Sequence, residues 1–144
     1  MQKIIFTVLV SFFMLLSCSS DDDGSEGNNN ISNCDDTILI SKILFDTAPS
    51  DQLFINNLEI IGNCLTINFS SGGCDGNSWE VKLIDSEAIL ESNPPQRNLR
   101  LSLKNEELCL AFITKELSFD ISSLRMIGSP VQLNITNSDD TILY

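Results

Sequence analysis

Histidine is absent from this chain. Its absence removes Ser-His-Asp and Cys-His catalysis and the commonest transition-metal ligand in one step. Positive charge is scarce. Eight Lys and Arg stand against twenty Asp and Glu, for a net charge of -12, a pI near 4.1, and no basic cluster. Nucleic acid is therefore not an expected partner. There is one Trp and one Tyr. No apolar run is long enough to cross a bilayer as a helix, because the longest, Ile4 through Leu16, is interrupted by Thr7 and Ser11. The glycines make no phosphate-binding pattern, and no cofactor is expected.

What is present begins with an address. Lys3 followed by that apolar run reads as the n-region and h-region of a secretory signal. Leu15-Leu16-Ser17-Cys18 then resembles the lipobox of bacterial lipoproteins. The resemblance implies a signal peptide over 1–17, cleavage before Cys18, and acylation of that cysteine by chains such as palmitate. Two or more chains hold a protein stably, at about 0.8 kcal/mol per buried CH2. Ser19-Ser20-Asp21-Asp22-Asp23 resembles the acidic export signal of Bacteroidetes lipoproteins. It implies display on the outer face of the outer membrane. The same run lacks the alternating ligands and distant Glu of an EF-hand.

Residues 18–33 are rich in Ser, Asp, Gly and Asn and bury too little to offset their ordering entropy. They read as a tether with a root-mean-square reach of about 20 Å. A single domain is expected over 34–144. With Cys18 acylated, Cys34, Cys64, Cys74 and Cys109 remain, an even number in an exported domain with no C-x-x-C knuckle for zinc. Of the three connectivities, Cys34–Cys64 and Cys74–Cys109 are expected. The first ties the domain's start to an early strand, and the second pins a Gly-rich loop to a central strand. Each is worth about 3–4 kcal/mol in the chain-entropy model.

The fold signal is period-2 alternation. Thr37 to Phe45 is a first apolar stretch without one strict register. Leu58 and Ile60 share a face, and Gly62-Asn63 marks a hairpin. Leu65, Ile67 and Phe69 alternate with Thr66 and Asn68. Trp79, Val81 and Leu83 follow a loop over 70–77, and Leu99, Leu101 and Leu103 form a further set. Leu108 to Ile113 is apolar on both sides and reads as a central strand. Phe119 and Ile121, then Val131, Leu133 and Ile135, then Ile142-Leu143-Tyr144 complete the pattern. Seven or eight short strands predict an all-β antiparallel sandwich of immunoglobulin-like kind, with a partly open β-barrel as the alternative. Residues 85–91 fit one helical turn before Asn93-Pro94-Pro95, and Ser122-Ser123-Leu124 fits a 3₁₀ turn.

Gly72-Gly73-Cys74-Asp75-Gly76, Trp79, Pro94-Pro95-Gln96-Arg97-Asn98-Leu99, Cys109 and Ile113 through Ile121 together resemble uncharacterised lipoproteins of Bacteroidetes, flavobacteria above all. The resemblance carries no assigned activity. Members run slightly past Tyr144, which implies a short last strand here.

Single residues yield to the same reasoning. Trp79, in register with Val81 and Leu83, reads as core and not as a sugar-stacking platform. Asp75, Asp85, Glu87 and Glu91 are the carboxylates a glycoside hydrolase would need, but they read as solvated loop charges. The same holds for Asn137, Asp139 and Asp140 as calcium ligands, and no metal site is expected. Arg97 and Arg100 read as offsets to the acidic surface. Thr37, Thr47 and Thr141 each sit in an Asp-Thr-apolar triplet that resembles the O-glycosylation sequon of Bacteroidetes. The expected function is a non-catalytic, lipid-anchored envelope module with a glycan or protein ligand, its membrane contact made through the anchor. The alternatives are an extracellular hydrolase and an inhibitor- or immunity-type protein using the loop 70–77 braced by Cys74.

Overall fold

The computed structural model describes residues 33–144. Cys18 and the acidic run 19–23 lie outside the described residues. Two sheets face each other across one apolar core. The first sheet has the order β1, β7, β4, β3, with β1 Asp36–Thr37, β3 Phe54–Ile61, β4 Cys64–Gly73 and β7 Ala111–Asp120. The second has the order β2, β5, β6, β8, β9, with β2 Leu39–Ile40, β5 Glu80–Leu90, β6 Gln96–Lys104, β8 Gln132–Ile135 and β9 Thr141–Leu143. The chain is thus an all-β sandwich, and neither sheet closes into a barrel. Long neighbours pair antiparallel, while β1 with β7, β2 with β5 and β6 with β8 run parallel, so both sheets are mixed.

Alternation decides which side chains meet. Leu65, Ile67 and Phe69 of β4 are fully buried against Leu83, Leu99, Leu101 and Leu133 from the second sheet. The hairpin between β3 and β4 turns at Gly62, whose φ of 64° is cheap only without a Cβ. The expected bridges Cys34–Cys64 and Cys74–Cys109 are both formed. The 3₁₀ turn at Ser122–Leu124 is also present.

Several expectations need correction. The apolar stretch Thr37 to Phe45 lacks one register because it is not a single element. It divides into β1, β2 and a six-residue helix α1, Lys42–Thr47, capped by the Ser41 hydroxyl accepting from Leu44 N at 3.3 Å. Helix α1 lies on the outer face of the second sheet, where Arg100 donates to its last carbonyls, Leu44 O at 3.1 Å and Ala48 O at 2.8 Å. Arg100 therefore fastens a helix, and is not a loose surface charge.

Residues 85–91 do not turn into a helix. They continue β5 through a bulge at Glu87, whose φ is 67°. The Asp85 carboxylate accepts from Glu87 N at 2.7 Å and holds that bulge. Asp85 and Arg97 are not surface charges either. Both point into the sandwich, and their ion pair is buried. Finally, of the stretch Leu108 to Ile113 only the last three residues belong to an inner strand, β7. Residues 105–110 belong to no sheet, and β7 begins only at Ala111.

The register defines two ends. Gly73 pairs with Ala111 at one end and Cys64 with Asp120 at the other. Ten residues of β4 separate them, roughly 30 Å at about 3.3 Å per residue. The end at Gly73 is called the tip, and the end at Cys64 the base.

Candidate functional site

The tip is built from the loop between β4 and β5 and the segment 105–110 between β6 and β7. Each holds the other. Cys74 is bonded to Cys109. Asn105 donates to Gly72 O at 2.6 Å through its side chain, and its backbone N donates to Asp51 Oδ2 at 2.7 Å. Asn105 Oδ1 accepts from Glu107 N at 3.0 Å. Glu107 Oε2 then accepts from the backbone N of Cys74, of Asp75 at 3.2 Å and of Gly76 at 3.1 Å, while Oε1 accepts from the Ser78 hydroxyl at 2.9 Å. Successive backbone N–H groups converging on one carboxylate make an anion nest. Desolvation pushes this carboxyl up, but the four donors together outweigh it and hold the pKa at about 2.

Two further features keep the loop in place. Gly76 has a φ of 69°, and Asp75 Oδ1 accepts from Asn77 N at 2.8 Å in an Asx turn. Beneath the loop Trp79 packs on Phe69 with ring centroids 6.1 Å apart, as a lid on the core. Its Nε1 is buried without a hydrogen-bond partner among the described residues.

The consequence for residues 105–110 follows from their alternation. Asn105 and Glu107 are half-buried and held by hydrogen bonds and the anion nest, and Cys109, itself exposed, is held by its covalent bond to Cys74. The intervening side chains must face water. Leu108 is 94% exposed and Leu110 is 101% exposed. Phe112, 65% exposed, continues this row on the outer face of the first sheet and meets Phe54 with centroids 5.9 Å apart. An apolar row is thus presented by a backbone that cannot fold it away.

The other expected sites are scattered. Asp75 is at the tip and engaged in its turn. Both Asp85 oxygens are taken by Arg97, and Glu87 accepts from Lys42 N at 3.3 Å. Glu91 lines a cleft at the base. The four carboxylates therefore do not converge on one reaction centre. Asn137 is spent on Leu101, donating to its O and accepting from its N. Among the described residues no group of three or more Asp, Glu, Cys or His is arranged to hold a metal ion. Thr37, Thr47 and Thr141 are all exposed, but they lie in β1, at the end of α1 and in β9, not in turns.

The apolar tip is hidden in the sequence by its own composition, since Leu-Cys-Leu-Ala-Phe-Ile reads as core. The available signal is the pairing of Cys74 with Cys109, which moves Cys109 out of a ladder and into a loop contact.

No family model matches the chain, and no curated protein matches it. Solved structures do share its fold. One is a NigD-like immunity protein from Bacteroides caccae, with a TM-score of 0.55, 10% identity, and coverage of 75% of this chain and 58% of that one. Another is a protein of unknown function, DUF1344, from Bacteroides vulgatus, with a TM-score of 0.50, 15% identity, and coverage of 76% and 54%. This chain therefore spans less than two thirds of either neighbour. At these identities the likeness is one of fold alone.

Proposed function

We propose that this protein is a non-catalytic binding module of a Bacteroidetes cell envelope, acylated at Cys18, displayed on the outer membrane's outer face, and engaging a protein partner with its tip. The observation that carries this reading is the exposure of Leu108 and Leu110 on a segment pinned at every alternate residue. Such a surface loses little conformational freedom on binding, so more of its apolar burial becomes affinity. The lipobox and acidic run support the location, and the Bacteroides origin of both fold neighbours agrees with the lineage. Within this reading an inhibitor- or immunity-type role fits best among the protein partners. A braced protruding loop suits that task, and one neighbour of the same fold is an immunity protein.

The test is photo-crosslinking in intact cells with a photoreactive phenylalanine derivative at position 110. One discrete protein adduct, lost when Leu108→Asp is added, is expected. No adduct, or an adduct indifferent to Leu108→Asp, overturns the protein-binding tip. Capture of polysaccharide by the domain, unaffected by Leu108→Asp, would favour a glycan ligand. Labelling of Cys18 by a palmitate analogue, abolished in Cys18→Ala, tests the anchor separately.

A further inference from the structure

The base carries a second apolar surface, made by two adjacent turns. The first is the hairpin turn at Ile61-Gly62-Asn63, where Ile61 is 65% exposed. The second closes between Met126 and Ser129, with Gly128 at a φ of 80°, and it leaves Ile127 107% exposed at its apex. Arg125 clamps the turns side by side. Its guanidinium donates to Asn63 Oδ1 at 2.8 and 3.1 Å and to Gly62 O at 3.5 Å. The guanidinium also lies 4.3 Å from the centre of the Tyr144 ring, whose hydroxyl donates to the same Asn63 Oδ1 at 3.0 Å. Beside Met126 an open cleft of about 800 Å³ is lined by Ile89, Pro95 and Met126, with Glu91, Ser92 and Asn93 at its polar side.

The chain itself indicates what faces this surface. Cys34 is bonded to Cys64, the residue directly after the Gly62-Asn63 turn. The tether therefore joins the domain at the base and at no other level of the sandwich. From Cys18 to Cys34 is only 16 residues, roughly 20 Å in root-mean-square reach. The base is the end this segment joins, so an acylated Cys18 keeps the base closer to lipid on average than the tip.

We propose that the paired turns of the base dock on the bilayer surface, with Ile61, Met126 and Ile127 entering the headgroup boundary and Arg125 and Tyr144 at headgroup level. Exposed apolar side chains at turn apices have backbone groups that stay near water, so they can enter the interface without burying unpaired donors. An Arg and a Tyr behind them match the chemistry of that layer. The docking gives the domain a second point of attachment and a fixed orientation, with the tip pointing away from the membrane. It rests on the proposed acylation of Cys18, and the experiment keeps the two apart.

In the oxidised chain from residue 18 onward, Cys18 is the only cysteine not in a bridge. It can be coupled to a maleimide lipid in phosphatidylcholine vesicles, which supplies the tether whether or not cells acylate it. A photoreactive phenylalanine derivative is placed at position 127 or, separately, at position 110. Lipid adducts are expected from 127 and only background from 110. The pair Ile61→Asp and Met126→Asp should abolish the adduct at 127 at an unchanged melting temperature. Absent adducts at 127, equal adducts at both positions, or adducts at 127 that survive the Asp pair overturn the docking. Because the coupling is chemical, such a result leaves the acylation itself untouched, and palmitate labelling of Cys18 in cells decides that point independently.

Discussion

Asp85 and Arg97 meet inside the sandwich as a two-pronged ion pair, Nε to Oδ2 at 2.9 Å and Nη2 to Oδ1 at 2.8 Å. The Asp85 side chain is fully buried and that of Arg97 nearly so. Removing one partner leaves the other charge buried and alone, so Arg97→Met should cost about 3–5 kcal/mol in urea unfolding. Arg97→Lys should not rescue it, because an ammonium cannot reproduce the planar fork. The double change Asp85→Leu with Arg97→Met should regain most of the loss but not all. Asp85 also accepts from Glu87 N at the bulge, and that donor would be left unpaired.

The Cys74–Cys109 bridge closes a segment with a sequence separation of 35. Replacing both cysteines by Ser should lower stability by about 3–4 kcal/mol in the chain-entropy model. It should also free residues 105–110, seen as faster amide exchange there than in β4. Leu108→Asp should do the opposite. Its side chain is 94% exposed, so stability should stay within about 0.5 kcal/mol while the adduct expected from position 110 is lost. A variant that loses binding without losing stability separates recognition from folding.

Glu107 gives the tip a defined acid response. Its folded pKa of about 2 lies below the ordinary carboxyl value of 4.5. The loop's extra stability is therefore complete above pH 4.5 and is lost as pH falls from there toward 2. In an NMR titration the amides of Cys74, Asp75 and Gly76 should move together with a midpoint near 2. A shared midpoint near 4.5 would show that the nest does not grip the carboxylate. Glu107→Gln should remove the titration and loosen the loop at neutral pH.

Gly76 and Gly72 make a matched pair. A Cβ at Gly76 would need a φ of 69° and would stand 2.6 Å from Lys115 Cε. Gly76→Ala should cost about 1–2 kcal/mol by the steric penalty of left-handed backbone alone. At Gly72 a Cβ meets nothing within 4 Å. Gly72→Ala should be neutral or slightly stabilising, since it removes unfolded-state freedom. Thermal unfolding of the two variants side by side checks both.

The sandwich is legible in the sequence where burial is one-sided. Leu65, Ile67 and Phe69 against Thr66 and Asn68 state a register, and Gly62-Asn63 states a turn. Legibility stops where a local pattern is overruled by a distant partner. Leu108 and Leu110 read as core because hydropathy carries no sign for inward or outward. Their direction is set by Glu107 finding three backbone donors about thirty residues earlier in the chain. Asp85 and Arg97 read as surface because charge usually is, although alternation puts Asp85 on the face of Leu83 and Arg97 on that of Leu99; what the sequence does not display is that the two meet across neighbouring strands. Helix α1 escapes notice for its brevity, since six residues depend on contacts such as the Ser41 cap and the Arg100 clamp to hold a helix.

The Cys34–Cys64 bridge also sets how the domain carries force. Residues 36–40 join both sheets, with β1 beside β7 and β2 beside β5. A pull on the chain before them would otherwise peel these two-residue strands away one hydrogen bond at a time. The bridge lies upstream of both, so a load arriving along the tether passes through covalent bonds directly into β4 at Cys64. That strand is paired along its length with β3 on one side and β7 on the other. The weakest part of the sandwich is thereby taken out of the line of tension. A load applied before Cys34 is thus borne by a strand with a long neighbour on each side.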